Sequence, residues 1–180
     1  MLKRRHLLKS MSAGLVGLSA GGLSIFTFTN RGNAAELTMN AMLSKVEQLN
    51  SKNLSHLGSW SPARVIKHCA LSIEYSMMGY PVQKSATFKN IIGKPVFAIF
   101  KTKRRLSHNL DEPIPGEAPY QELSLEQAKK DFQKVTFAFL EYNKVLKPHF
   151  AFGELTKDEY ALLHAMHLEN HWERFRFHQF

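Results

Sequence analysis

The chain has 180 residues, of which 44% are hydrophobic and 22% charged, a balance typical of a globular protein rather than a disordered or collagen-like one. Its formal net charge is +9, but residues 1–35 carry five Lys and Arg residues and no acids, which leaves 19 basic and 15 acidic residues beyond them. The resulting excess of +4 is too small to indicate a nucleic-acid partner. The single cysteine, Cys69, excludes an intramolecular disulfide.

Residues 1–35 have the order of regions found in a secretory signal peptide. A short basic segment precedes an acid-free apolar stretch over residues 11–29, and small residues follow at 32–35. The run Lys3-Arg4-Arg5-His6-Leu7-Leu8-Lys9 resembles the twin-arginine export motif, with Lys3 where Ser or Thr is usual. We therefore expect a cleaved twin-arginine-type signal and a periplasmic or otherwise extracytoplasmic mature protein with no membrane span. The alternative is an uncleaved N-terminal helix that anchors the domain to the membrane, because the apolar stretch is just long enough to cross a bilayer.

Two helices are predicted early in the mature chain. Apolar residues at three- and four-residue steps predict the first over about residues 38–50. The second begins at the N-cap Ser61, with Pro62 at the first helical position, and ends at residues 79–81. His68 lies on or beside its apolar face. Cys69 points about 100° away from His68 around the helix, so it is interpreted as a buried small hydrophobe rather than a nucleophile.

A long connection over residues 80–123 follows the second helix. Residues 90–105 are compatible with a basic amphipathic helix, although Gly93 and Pro95 leave its start open. Its lysines and arginines predict either a solvated face or a face for an anionic partner or membrane surface. The proline-rich residues 111–119 are predicted to be loop, and a connection of this length in a small bundle is often functional, frequently a lid.

Clear capping and stop signals mark the last two helices. Ser124 begins the third, whose apolar stripe continues to Leu146 before Pro148. Thr156 and Glu159 form a capping box at the start of the fourth, which is predicted to run through residues 172 and 175 toward the C-terminus. We therefore expect an all-α fold over residues 36–180, an antiparallel four-helix bundle with a long crossover between its second and third helices.

Histidine spacing indicates a candidate metal site. His167 and His171 are four residues apart on the fourth helix, so their rings lie about 40° apart around its axis and can meet at one ion. His164 lies on the same stripe one turn earlier and is a candidate additional ligand. His68 is the candidate from a facing helix. Spacing alone leaves open that these are ordinary hydrogen-bonded core histidines, and the remaining histidines show no pattern that argues for a role: His56, His108, His149 and His178.

Two segments carry a resemblance to a known superfamily. Residues 60–68, Trp-Ser-Pro-Ala-Arg-Val-Ile-Lys-His, and residues 167–175, His-Leu-Glu-Asn-His-Trp-Glu-Arg-Phe, together resemble the DinB-like superfamily over residues 38–178. Gly153-Glu154-Leu155-Thr156 is similar to a stretch that marks an uncharacterised branch of it. The resemblance implies a DinB-like four-helix bundle with one divalent metal ion, zinc, nickel, iron or manganese, held by His68, His167 and His171.

The same resemblance marks residues around the predicted ligands. Related sequences often carry His where this chain has Asn170, and Gln where it has Arg174. Arg174 is one turn past His171 and is a candidate for a substrate carboxylate or phosphate, with a solvated helix-end arginine as the alternative. Asn170 and Glu173 are candidates to orient a histidine ring. Tyr75, two turns after His68, is a candidate pocket residue or an ordinary packing residue.

Three neutral histidines leave positions on an ion open to water or substrate, as in a catalytic site. Several members of the superfamily are thiol-dependent transferases or isomerases. The resemblance therefore implies a metal-dependent transferase or isomerase with a small-molecule substrate such as a thiol, but enzymatic activity itself is left open. The alternative is a non-catalytic metal-binding or interaction protein on the same scaffold. A homodimer through helical faces is also left open.

Overall fold

The computed structural model of the chain describes residues 15–19, 22–26 and 36–178. The predicted signal peptide therefore lies largely outside the described residues, and its export and cleavage stay predictions. Two short strands fall within it, β1 (Leu15–Ser19) and β2 (Gly22–Phe26), which pair antiparallel. Among the residues described, no helix is both long enough and apolar enough to cross a membrane.

From residue 36 onward the chain is mainly helical. Five helices have nine residues or more: α1 (Met39–Glu47), α2 (Pro62–Met78), α4 (Lys94–Lys103), α5 (Leu125–Glu141) and α6 (Lys157–Trp172). A single turn, α3 (Ala86–Phe88), and a π-helical segment (Lys89–Gly93) lead directly into α4. The predicted basic helix over residues 90–105 therefore forms, but it starts a few residues earlier and contains a π-helical turn.

Polar caps begin α2, α5 and α6. The side-chain oxygens of Ser61, Ser124 and Thr156 accept hydrogen bonds from the backbone N–H groups three residues later. At α6, the Glu159 carboxylate also accepts from the Thr156 N–H, which completes a capping box. α2 ends at Gly79, whose φ of 109° lies in a region that favours glycine. These caps fix where α2 and α6 start, and so which of their side chains face each other.

The helices pack against one another around the core. α2 packs along α5 and also against α6, and α1 contacts both α5 and α6. The core side chains are almost fully buried. The largest include Tyr160, Phe132, Phe139, Ile66, Ile73, Met166 and Leu168 from these helices, Phe100 from α4 and Leu49 just after α1. Cys69 belongs to this core at 2% exposure, and burial raises the pKa of its thiol, as expected for an inert hydrophobe. α2 and α6 therefore face each other across a dry interior.

A small sheet corrects the all-α prediction. α6 ends at Trp172 and does not continue through residue 175, because the chain turns and forms the strand β4 (Phe175–Phe177). β4 pairs antiparallel with β3 (Leu54–His56), which lies between α1 and α2. The pairing satisfies the backbone of both chain segments and buries Phe175 beside His56 and Trp172.

α5 is shorter than its apolar stripe predicted. It ends at Glu141, with Tyr142 in an extended conformation, whereas the pattern continued to Leu146. The Lys157 ammonium group donates to the carbonyls of Leu140 and Tyr142, and these bonds satisfy acceptors that another helical turn would have used. Tyr142 and Leu146 therefore pack against the core from a loop rather than from a helix, whereas Val145 is exposed.

Candidate metal centre

α2 and α6 bring the three predicted histidines together. His68 Nε2 lies 3.2 Å from His167 Nε2. The ring centroids of His68 and His171 are 5.2 Å apart, and those of His167 and His171 are 4.9 Å apart. The two α6 rings can converge because they are one helical turn apart on the face that packs against α2. The structure therefore gathers three imidazoles from two helices at one point in the core.

A fourth histidine completes the cluster. His108, in the loop between α4 and α5, has its ring centroid 4.8 Å from that of His167 and 5.1 Å from that of His171. One ring nitrogen from each of His68, His108, His167 and His171 lies within 4.8 Å of the other three. Sequence reasoning missed His108 because it lies in an irregular loop, where no periodicity marks a facing side chain. Its only signal was its place in an unusually long connection.

Two neighbouring side chains contact the outer nitrogens of the cluster. Asn170 Oδ1 lies 2.9 Å from His108 Nδ1 and also accepts from the His108 backbone N–H at 3.3 Å. An amide oxygen accepts, so this contact favours a proton on Nδ1 of His108 and leaves its Nε2 with a free lone pair. His68 Nδ1 lies 3.4 Å from the Glu117 carboxylate, a contact longer than a normal hydrogen bond. Both contacts leave the Nε2 atoms of His68 and His108 available to the cluster.

Burial lowers the pKa values of three of the four imidazoles in the cluster. His68, His167 and His171 are at most 8% exposed, and His108 is less buried. Desolvation, reinforced by the other imidazoles nearby, lowers the pKa values of His167 and His171 well below their usual range. Desolvation also lowers the pKa of His108 to about 4, although its bond to Asn170 acts in the opposite direction. Neutral imidazoles are the form that binds a metal ion.

The donor set fits a divalent metal ion. Both ring nitrogens of His171, Nε2 of His108 and Nδ1 of His68 are buried and have no hydrogen-bond partner in the part of the chain that the structure describes. Buried polar atoms without partners are rare and costly in folded proteins, so several at one point need an explanation. A cation between the rings would bind Nε2 of His108 and one ring nitrogen of His171, and imidazole nitrogen suits zinc, nickel, iron and copper alike.

The loop that carries His108 is fastened over the site by further contacts, and we call residues 106–123 the strap. Asp111 accepts from the Arg174 guanidinium at 2.5 Å and from both the backbone N–H and the hydroxyl of Ser59. Its pKa is lowered, mainly by the bond from Arg174. Glu117 accepts from the Ile114 N–H and contacts His68. Burial raises the pKa of Glu117, but these two partners and the charge of Arg64 together outweigh it, and the pKa is lowered overall. The carboxylates of Asp111 and Glu117 therefore remain charged at neutral pH.

An aromatic side chain forms one wall of the cluster. Trp60 meets the His68 ring edge-on at 5.0 Å and lies nearly parallel to the His171 ring at 6.1 Å. The Arg64 guanidinium covers the Trp60 ring at 4.4 Å and also lies 5.2 Å from the Tyr120 ring of the strap. Trp60 therefore separates two of the histidines from the charged surface and lowers the local dielectric around them.

His164 does not join the cluster. It lies on the same stripe of α6 as His171, but seven residues place it about 10 Å away along the axis, too far to share an ion. Its ring stacks on Tyr160 and meets Phe139 edge-on. It is 1% exposed, neither ring nitrogen has a hydrogen-bond partner among the described residues, and desolvation lowers its pKa to about 3. The structure therefore places it as a neutral core residue.

The other candidates lie outside the ring of ligands. Arg174 pairs with Asp111 and so helps to hold the strap. Glu173 is paired with Arg105 on the surface. Tyr75 packs beside Tyr80, with a pKa raised by desolvation and by nearby carboxylates, Glu117 among them. Of the four residues proposed for substrate or for orienting a ligand, only Asn170 directly contacts a ring of the cluster.

The fold and the site together define a mainly helical protein with a buried four-histidine cluster that could hold a metal ion. The family described as protein of unknown function (DUF1569) matches residues 33–178, and the chain belongs to this family. No curated protein matches the chain. No solved structure matches it either.

Proposed function

We propose that this DUF1569 protein binds one divalent metal ion through His68, His108, His167 and His171. The observation that carries the proposal is the convergence of four ring nitrogens within 4.8 Å of one another from three separate segments: α2, α6 and the strap. A helical pair of histidines is common by chance. Here the rings of His68 and His108, from two other segments, also meet the His167–His171 pair inside the core. Such a convergence of four imidazoles is not expected without a ligand between them.

We further propose that the helices form a DinB-like four-helix bundle. Support comes from the contacts of α1, α2, α5 and α6, each of which packs against two of the others. The placement of the ligands is also consistent with this architecture, since one comes from the second of these helices and two come from the last. The long crossover would then be the segment that closes the ligand end of the bundle.

The residues around the four histidines have two roles in this proposal: they orient the rings and they exclude water. Asn170 holds His108 and Glu117 contacts His68 from behind, so each ring would be kept in one tautomer with Nε2 toward the ion. Trp60 and the strap exclude water. A bound ion would supply Lewis acidity and would lower the pKa of a coordinated water or thiol.

Whether such a site is catalytic depends on His108. With three imidazoles from helices, an ion keeps a position for substrate, and the proposed activity is that of a metal-dependent transferase or isomerase acting on a small molecule such as a thiol. With four imidazoles, a tetrahedral ion has no open position. The fourth ring therefore favours the second candidate function, a non-catalytic metal-binding protein, unless His108 leaves the ion when substrate arrives.

We also propose that the mature protein acts outside the cytoplasm. The support is the sequence of residues 1–35, with its twin arginines and acid-free apolar stretch. Cell fractionation of the native chain tests this directly, and a shorter mature protein in the extracytoplasmic fraction is the expected result. Replacement of Arg4 and Arg5 by lysine should retain the full-length form inside. Export that continues unchanged in that variant would contradict the twin-arginine route.

The experiment that tests the metal proposal uses protein purified without a histidine tag. We expect about one metal equivalent per chain by elemental analysis, or after addition of zinc, nickel or manganese. His171→Ala should lose the metal while its circular dichroism stays helical, and the control His178→Ala, which removes an exposed ring, should retain it. A wild-type protein that contains no metal and takes up none of the three would refute the proposal.

The absorption spectrum of the cobalt(II)-loaded protein distinguishes the two candidate functions. A site closed by four imidazoles should give an absorption spectrum that does not change when a small thiol is added. A site with an open position should respond to the thiol, and a thiol-transfer screen would then be expected to find turnover. An inert spectrum together with an absence of turnover would leave the non-catalytic function.

A further inference from the structure

The helical segment from the π-turn to the end of α4 carries an apolar strip on its outer side. Ile91 is 69% exposed and Ile99 is 37% exposed, and both Pro95 and Ala98 between them are also exposed. Steps of three and four residues place these side chains on one face of a helix. We call these four residues the outer strip. A contiguous exposed apolar face is a feature that contact surfaces share.

The opposite side of the same segment is fixed against the protein. Val96, Phe97 and Phe100 are buried in the core. At Gly93 the backbone approaches residue 151 so closely that an added Cβ would lie 1.9 Å from the Ala151 carbonyl oxygen. The segment therefore cannot rotate to bury the outer strip, and the strip faces away from the domain in the folded state.

Lysines flank the outer strip on both sides. Lys94 and Lys101 lie along one edge and Lys103 along the other, and all three are exposed. Lys101 also pairs with Glu159. There is no acidic residue anywhere between Glu74 and Asp111. The surface thus combines apolar side chains at its centre with positive charge at its edges, on a helix that lies flat against the protein.

We propose that the outer strip and its flanking lysines bind the surface of a membrane that contains anionic phospholipids. Isoleucines at the centre would enter the boundary between headgroups and acyl chains, and lysines at the edges would reach the phosphates while their methylene stems cover apolar surface. A second copy of the chain is a poorer occupant, because a symmetric pairing of this face would bring lysine against lysine. Nucleic acid would leave the isoleucines in water.

The test measures the environment of a fluorescent label at one chosen residue, so it can be done on the full chain. Ile99→Cys is labelled with an environment-sensitive fluorophore, and Phe137→Cys on α5, which replaces a 49% exposed side chain, is the matched control. The native Cys69 is 2% exposed and should not react in the folded protein. Vesicles of phosphatidylglycerol with phosphatidylcholine are compared with vesicles of phosphatidylcholine alone.

We expect the emission of the label at position 99 to shift to shorter wavelength with the anionic vesicles only, and the label at 137 to stay unchanged. Lys94→Glu in the labelled chain should raise the lipid concentration for half-maximal shift about fivefold or more, since each lysine near an anionic surface contributes on this scale. Lys130→Glu on α5, an exposed lysine with the same change of charge, should have little effect.

Three results would overturn the proposal. One is the absence of any shift at position 99 with anionic vesicles. Another is an equal shift at positions 99 and 137, which would mean that the domain meets the membrane without a preferred face. The third is a shift without lipid that depends on protein concentration, or one produced by an added acidic polymer as strongly as by vesicles. That result would assign the face to a second copy or to an acidic macromolecule.

Discussion

His164 should lower the stability of the protein in mild acid, and the size of the effect follows from the lowered pKa of its buried ring. The ring is 1% exposed and has a pKa of about 3, lowered from an ordinary value of 6.5 by desolvation. Between those two pH values the unfolded chain binds a proton that the folded chain cannot, so stability falls as the pH falls. At pH 5 this one residue should cost about 2 kcal/mol of unfolding free energy relative to pH 7. Above pH 7 it should have almost no effect.

The assay is urea unfolding at pH 7 and pH 5 in the presence of a chelator. His164→Leu should lose about 2 kcal/mol less between the two pH values than the wild type does, whatever its stability at pH 7. Leu163→Ala on the same helix is the matched control, because it removes a buried side chain without removing a titratable group. It should be less stable at both pH values and show the wild-type difference between them. Equal pH dependence in His164→Leu and the wild type would refute the reasoning.

Three further predictions concern the strap, the fourth ligand and the fit of α4. Glu117→Ala should weaken zinc binding about 10- to 100-fold, measured in competition with a chromophoric chelator, and Glu117→Gln should weaken it less. The exposed control Glu122→Ala should not weaken it. Equal losses in both alanine variants would refute a role for Glu117 in positioning His68. His108→Ala should keep one metal equivalent per chain with a changed cobalt(II) spectrum, and an unchanged spectrum would show that His108 is not a ligand. Gly93→Ala should lower the free energy of unfolding by about 1–3 kcal/mol, because the new Cβ meets backbone; a wild-type denaturation midpoint would contradict that packing.

The parts of the fold that sequence predicted are those with local causes. Ser61, Ser124 and Thr156 began helices where their side chains could cap them, and Gly79 ended one. His167 and His171 could be paired from spacing alone because both lie on one helix, where the step between residues is fixed. His68 came from the resemblance and from its place on the apolar face of another helix. Each of these inferences needed only a few neighbouring residues.

The parts that sequence did not predict depend on contacts between distant segments. β4 forms because residues 175–177 find residues 54–56, more than a hundred positions away, and nothing local to either segment requires it. His108 reaches the cluster because the strap is held by pairs such as Asp111 with Arg174. His164 is different, because the rise of the helix alone, about 10 Å over seven residues, separates it from His171 along the axis. A periodic pattern gives direction around a helix, whereas a site also needs distance along it.

The most direct test of the account is a crystal of the untagged protein measured at the absorption edge of the metal it contains or takes up. We predict one anomalous peak per chain, enclosed by the rings of His68, His108, His167 and His171. A peak bound elsewhere, or no peak among these rings after soaking in zinc, nickel and manganese, would contradict the claim that the cluster is a metal site.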